Sequence, residues 1–188
     1  MELTLRKEII RSKTVNRIIG ISGFVVLTAL GAFVRIPLPF SPVPLTLQTF
    51  FVLLGGAILG RNQGAWAQFF YVALGIAGIP VFSQAGSGLL YLSGPTAGYL
   101  AGFIVASLFI SRSLYRSRNG LTVLAVLFLG DLLILGLGAI WLRIFLRCSS
   151  VQAMFAGVIP FIPGELCKIV LAFAIYRKIE NRCREIFK

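Results

Sequence analysis

Six weakly charged, largely apolar stretches run along the chain, separated by short breaks of different character. They span about Ile18 to Arg35, Leu45 to Gly60, Gly64 to Ile79, Pro95 to Ile110, Leu121 to Leu142 and Val151 to Tyr176. A helix needs about 20 predominantly apolar residues to cross a bilayer, so the second and third stretches are slightly short. The first break, Pro37 to Pro44, carries four prolines in eight residues. No helix tolerates that density, and the pattern predicts a stiff, extended loop. The third break, Val81 to Gly94, is uncharged and rich in Gly and Ser, and Gly86, Gly88 and Gly94 suit it to move as a lid. Ser111 to Gly120 contains Arg112, Arg116 and Arg118, and Arg143 and Arg147 separate the last two stretches. The sixth is itself broken by Pro160-Phe-Ile-Pro-Gly164. The pattern predicts an all-α integral membrane protein, a six-helix bundle in one domain. Residues 1–17 form an amphipathic lead-in, 18–176 the spans and 177–188 a basic tail.

Composition agrees with that reading. The chain has 188 residues, of which 57% are hydrophobic and only 13% charged, and its mean hydropathy is +0.91. The formal net charge of +12 suggests nucleic acid at first, but the Lys and Arg residues bracket apolar runs instead of forming one soluble face. Their distribution sets an orientation. Segments on one side carry five basic residues between Arg6 and Arg17, then Arg61, three from Arg112 to Arg118, and five from Arg177 onward. The opposite side has only Arg35, Arg143 and Arg147. Fourteen against three places both termini in the cytoplasm of a multi-pass protein of the cell membrane. The proline loop, the glycine loop and the short arginine loop then face outward. Small residues line the first three stretches (Gly20, Gly23, Gly31 and Ala32; Gly55, Gly56 and Gly60; Gly64, Gly75 and Gly78). In lipid they permit close helix packing, either within the bundle or, for the first stretch, against another membrane subunit.

Little of the chemistry of catalysis is present. Histidine is absent, and Cys148, Cys167 and Cys183 form no metal-binding pattern. No paired carboxylates stand at a plausible spacing, no Ser or Cys stands beside a base, and no GxxxxGK[ST] loop occurs. Neither an enzyme nor a resident cofactor or metal is expected. Ionisable residues inside the spans are few: Asp131, Glu165 and Lys168. Such groups are costly in a membrane and are functional by default. Glu165 and Lys168 stand i,i+3 on one helical face, just after the proline break. That position puts Glu165 in the first turn of a half-helix, where free N–H groups favour a negative charge. Transporters build substrate sites from interrupted helices of this kind. Asp131, by contrast, is expected near the inner end of the fifth span as a snorkelling charge or interfacial ion pair. Thr46, Gln48, Phe82, Tyr91 and Tyr99 flank the outward loops and are candidates for a mixed apolar and polar pocket.

Four motifs occur in order along the chain: Ile36-Pro-Leu-Pro-Phe-Ser-Pro-Val-Pro-Leu-Thr-Leu-Gln-Thr49, Gly78-Ile-Pro-Val-Phe82, Gly94-Pro-Thr-Ala-Gly-Tyr99 and Pro160-Phe-Ile-Pro-Gly-Glu-Leu-Cys-Lys168. Together they resemble the BioY family, the biotin-binding S components of energy-coupling factor (ECF) vitamin transporters. The resemblance implies biotin uptake, with the ureido ring bound by Glu165 and Lys168. Glu165 stands where the family usually has Asp. Phe82, Tyr91 and Tyr99 would give the apolar walls. The valerate carboxylate has Arg35, Arg143 or backbone N–H groups of the outer loops as open partners. The resemblance further implies an ECF membrane coupling subunit and two ATPase subunits as candidate partners, beside a mode of working without them. The competing readings are the same fold binding another vitamin and, in a different class, a small membrane enzyme acting on lipid.

Overall fold

A computed structural model describes residues 13–115 and 119–187. Most of the expected lead-in therefore lies outside the described residues, as do Arg116 and Arg118 of the basic break and Lys188 of the tail. Residues 13–17 are the first turns of α1 (Lys13–Phe33), so the first helix begins earlier than hydropathy alone indicates. It ends at Phe33, where the coming prolines bias the chain toward extended backbone. Two short strands follow, β1 (Arg35–Ile36) and β2 (Leu45–Thr46), paired antiparallel with Arg35 opposite Thr46 and Ile36 opposite Leu45. This ladder closes the proline loop at its base.

Helix α2 (Gln48–Leu59) is nearly all buried. A helix apolar on every side belongs in the middle of a bundle, and α2 packs against α1, α4 (Ala97–Ser113) and α7 (Ile162–Phe187). Glycines allow the close approaches. A side chain at Gly55 would meet the Phe24 ring at 2.8 Å, and one at Gly64, in α3 (Gln63–Ile76), would meet the Gly56 backbone at 2.9 Å. On α1, Gly20 is covered by Phe187 and Leu59 and Gly31 by Gln48 and Phe51, whereas Gly23 has nothing within 4 Å. The small-residue stripe is therefore mostly internal packing.

The glycine loop contains two 3-10 turns, Ser83–Ala85 and Leu89–Ser93. Helix α5 (Gly120–Leu146) starts at Asn119, whose side chain accepts from the Leu121 N–H, and runs the length of the bundle. Helix α6 (Ser150–Gly157) begins with a capping box between Ser149 and Gln152. After a 3-10 turn at Ile159–Phe161 the chain re-enters helix as α7, so the proline break of the sixth stretch is real. Helix α7 does not stop at Tyr176, and the expected tail is its helical continuation as far as Phe187. Glu180 pairs there with Arg177 at 2.6 Å and with Arg184 at 3.0 Å, the i,i+3 and i,i+4 spacings that support a helix.

Among the described residues, three helical segments are long and apolar enough to cross a membrane: Lys13–Phe33, Gly120–Leu146 and the composite Ser150–Phe187. Helices α2 and α4 are shorter apolar helices beside them. Large apolar side chains such as Val26, Leu30, Phe70, Phe128, Val170 and Leu171 are exposed on several helices. A soluble monomer rarely shows so much apolar surface; against lipid tails it is the outer wall.

Candidate functional site

The first turns of α2 and α7 meet inside the bundle. Thr49, from α2, donates its hydroxyl to Glu165 Oε2 at 2.7 Å. Lys168 Nζ donates to Glu165 Oε1 at 2.7 Å and to Thr49 Oγ1 at 2.9 Å. Glu165 and Lys168 are 3% and 8% exposed, so an ammonium, a carboxylate and a hydroxyl form a closed, buried triangle. Each charge has the partner that burial demands. The proline break makes this possible, because it starts a fresh helix at Ile162 and puts Glu165 in its first turn.

Asp131 belongs here, and not at a membrane surface. It is 3% exposed, its carboxyl meets that of Glu165 and lies within electrostatic reach of Lys168, and its Oδ1 has no hydrogen-bond partner. The depth follows from helix geometry. At about 1.5 Å per residue, Asp131 lies about 16 Å along α5 from Gly120, too deep for a carboxylate to snorkel.

Above the triangle is a cavity with about 490 Å³ of empty space, its open mouth included. Of the seven residues singled out from sequence, Glu165, Gln48, Thr46, Tyr91 and Tyr99 line it. Lys168 does not line it but is bonded to Glu165 and Thr49, which do. Phe82 is fully buried and supports the wall from behind: it stacks on Tyr91 at 4.7 Å and meets Tyr71 edge-on at 5.6 Å. Gln48 donates to the Tyr71 hydroxyl, which donates to the Val81 carbonyl at 3.0 Å, so the polar wall is already ordered. Tyr99 donates to the Gly157 carbonyl at 2.7 Å and ties α4 to the end of α6.

Tyr91, in the glycine loop, donates to the Ser83 carbonyl at 3.3 Å. Burial pushes its hydroxyl above the usual tyrosine range, while a hydrogen bond with Thr96 and the charge of Arg35 pull the other way. Tyr91 therefore stays a neutral donor at physiological pH. Of Arg35, Arg143 and Arg147, Arg35 is thus within electrostatic reach of a group that lines the cavity.

The sequence reading missed Thr49, Ser83, Thr96, Phe103, Leu135 and Phe161, which also line the cavity. Some had a signal. Phe103 is i+4 from Tyr99 and Leu135 is i+4 from Asp131, so each shares a helical face with a residue already noticed. Thr49 follows Gln48, but nothing local marks it as the partner of a residue 116 positions away. Among the described residues no group of His, Cys, Asp and Glu could hold a metal ion.

Comparison with known proteins gives concordant results. The model of the BioY family matches residues 5–185. A "Probable biotin transporter BioY" of Pyrococcus horikoshii is 36% identical over 160 residues, covering 84% of this chain and 92% of that protein. The "Biotin transporter BioY" of Thermotoga maritima is also 36% identical, over 158 residues, with the same 84% and 92% coverage. A crystal structure of the S-component for biotin from an ECF-type ABC transporter superposes with a TM-score of 0.87. It is 24% identical and covers 95% of this chain and 98% of that one, which establishes a common fold.

Proposed function

The chain belongs to the BioY family, and we propose that it carries out biotin uptake across the cell membrane as the substrate-binding component of an ECF-type transporter. It is a transport component and not an enzyme. The observation that carries the site assignment is the buried triangle of Thr49, Glu165 and Lys168 beneath an open cavity.

Counting donors and acceptors supports a ureido ligand. An ammonium has three N–H groups, and Lys168 uses two, on Glu165 and Thr49. One N–H remains for the ureido carbonyl. A carboxylate offers about four lone-pair sites, and Glu165 has spare ones for a ureido N–H. Both new bonds are charge-assisted and correspondingly strong. Thr49 has one hydroxyl proton, which it gives to Glu165, so it serves as a brace. Tyr91, Tyr99, Phe103, Leu135 and Phe161 give the apolar rings and chain of biotin a matching wall. Arg35 is the proposed partner of the valerate carboxylate. It stands opposite Thr46 in the ladder and its charge reaches Tyr91, both on the cavity side.

The proposed topology is six spans with both termini cytoplasmic, α6 and α7 counting as one interrupted span. It rests on the excess of basic residues in the segments assigned to the cytoplasm. The cavity then opens outward, where a scavenged vitamin arrives. A membrane coupling subunit and two ATPase subunits are the proposed energy source, since the chain has no phosphate-binding loop of its own.

The test is equilibrium binding of radiolabelled biotin to the purified protein in detergent, with unlabelled biotin and lipoate as competitors. Lipoate shares a sulfur ring and an acyl chain with biotin but lacks the ureido group. Biotin is expected to displace the label and lipoate to leave it bound. Equal displacement by lipoate would show that the ureido group is not what is recognised.

A further inference from the structure

The end of α2 opposite the biotin cavity, about 18 Å away for a 12-residue helix, carries an unusual cluster of arginines. Gly60 and Arg61 have positive φ in succession, 68° and 44°. Such backbone is unfavourable for a residue with a side chain. It turns the chain so that the Arg61 guanidinium lies over the Tyr115 ring, 5.2 Å from its centroid. Tyr115 is held in turn, because Arg184 donates to its carbonyl at 3.2 Å and to that of Leu114 at 3.4 Å. Arg112 donates through Nε to Asn62 Oδ1 at 3.0 Å, which leaves its two terminal nitrogens as a fork. Arg61, Asn62, Arg112 and Tyr115 line one open cleft.

The charges in this cleft are not balanced internally. Among the described residues neither Arg61 nor Arg112 has an ion-pair partner, and nearby Glu180 is already shared by Arg177 and Arg184. Two oriented guanidinium groups around one opening match a phosphate, which accepts such forks bidentately. Trp66, in the first turn of α3, donates its backbone N–H to the Asn62 carbonyl at 3.0 Å; it is 50% exposed, with Phe69 and Phe70 packed on its ring. An exposed indole of this kind marks the headgroup level of a bilayer.

We propose that the cleft of Arg61, Asn62, Arg112 and Tyr115 is a binding site for the phosphate group of an anionic membrane lipid. Arg61, pre-oriented by Tyr115, and Arg112, pre-oriented by Asn62, grip the phosphate from two sides, and the acyl chains lie along the apolar face of α3 below Trp66. Basic pockets between membrane helices recognise anionic lipids by this chemistry.

The experiment uses the full chain in nanodiscs, with Trp141→Phe so that Trp66 is the fluorescing indole. Brominated phosphatidylglycerol is expected to quench Trp66 at a lower mole fraction than brominated phosphatidylcholine. In Arg61→Gln/Arg112→Gln the fraction of phosphatidylglycerol needed for half-quenching should rise by about tenfold, the scale of two lost solvent-exposed ion pairs. Arg61→Lys/Arg112→Lys keeps the charge but loses the forks and should lose most of the preference. Lys178→Gln/Arg182→Gln removes the same charge elsewhere and should change nothing. All variants should bind biotin as the parent does, which shows that they fold. An unchanged preference in the Arg61→Gln/Arg112→Gln chain would overturn the site and leave the cleft to an acidic protein partner. Equal loss in the Lys178→Gln/Arg182→Gln chain would reduce it to general surface charge. Displacement of the lipid by inorganic phosphate would overturn the lipid as the source of the phosphate group.

Discussion

Glu165 and Lys168 stabilise each other, so single substitutions at either one confuse folding with binding. Removing one partner of a buried ion pair costs about 3–5 kcal/mol, because the other charge is left uncompensated. The informative variant is the neutral pair Glu165→Gln with Lys168→Met. It is expected to fold and to lose biotin binding, since it keeps neither charged group. A neutral pair that bound biotin at parental affinity in the radioligand assay would refute the ureido assignment. Thr49→Val tests the brace. It keeps the shape and removes the hydroxyl that bonds both charges, each such bond being worth about 1.5–3 kcal/mol. Biotin affinity should fall by about 10- to 100-fold, the scale of one such bond; unchanged affinity would make Thr49 a bystander. Residues of both kinds show what a sequence can reveal. Glu165 and Lys168 were legible because the i,i+3 spacing is local and intramembrane charge is rare. Thr49 and Asp131 were not, because their meaning comes from helices packed against α7, and no periodicity within α2 or α5 records that packing.

At the scale of elements, each hydrophobic stretch became a helix, and the sixth broke where two prolines and a glycine said it would. The discrepancies lie at the ends. Polar residues at the start of α1 and the end of α7 continue their helices, since backbone bonds and i,i+4 pairs do not require apolar side chains. The two-residue strands were invisible, because a ladder that short depends on the far end of the proline loop returning to the near end. In the glycine loop, which holds two 3-10 turns, the glycines differ in what they do. Gly86 is packed against Tyr91, and a methyl group there would come within 2.2 Å of the ring. Gly88 has φ +84° with nothing within 4 Å, so its glycine serves the backbone alone. The two substitutions therefore have different expected effects. Gly86→Ala displaces Tyr91 from the cavity wall and should speed biotin dissociation. Gly88→Ala strains the turn without touching the wall and should slow association at most modestly. Stopped-flow binding in detergent separates the rates; identical behaviour of both variants would show that Tyr91 does not hold the ligand.

For the whole molecule, one asymmetry links sequence, fold and transport. The cavity opens beside the proline and glycine loops, while Arg61, Arg112 and the arginines of α7 gather at the other end of the bundle. Basic residues resist translocation and favour the cytoplasmic side during insertion, and the proposed orientation, which rests on this rule, has the cavity facing outward. The prediction is made with single cysteines in intact cells. The native Cys148, Cys167 and Cys183 are first replaced by Ser or Ala. Ser150→Cys then places a thiol at the exposed start of α6, in the outward arginine loop. Asn181→Cys places one on the exposed face of the α7 extension, at the basic end. A membrane-impermeant maleimide should label the first in intact cells and the second only after the membrane is permeabilised. The opposite pattern would turn the protein over, put the cavity in the cytoplasm, and leave the Glu165–Lys168 pair with no route by which to meet external biotin.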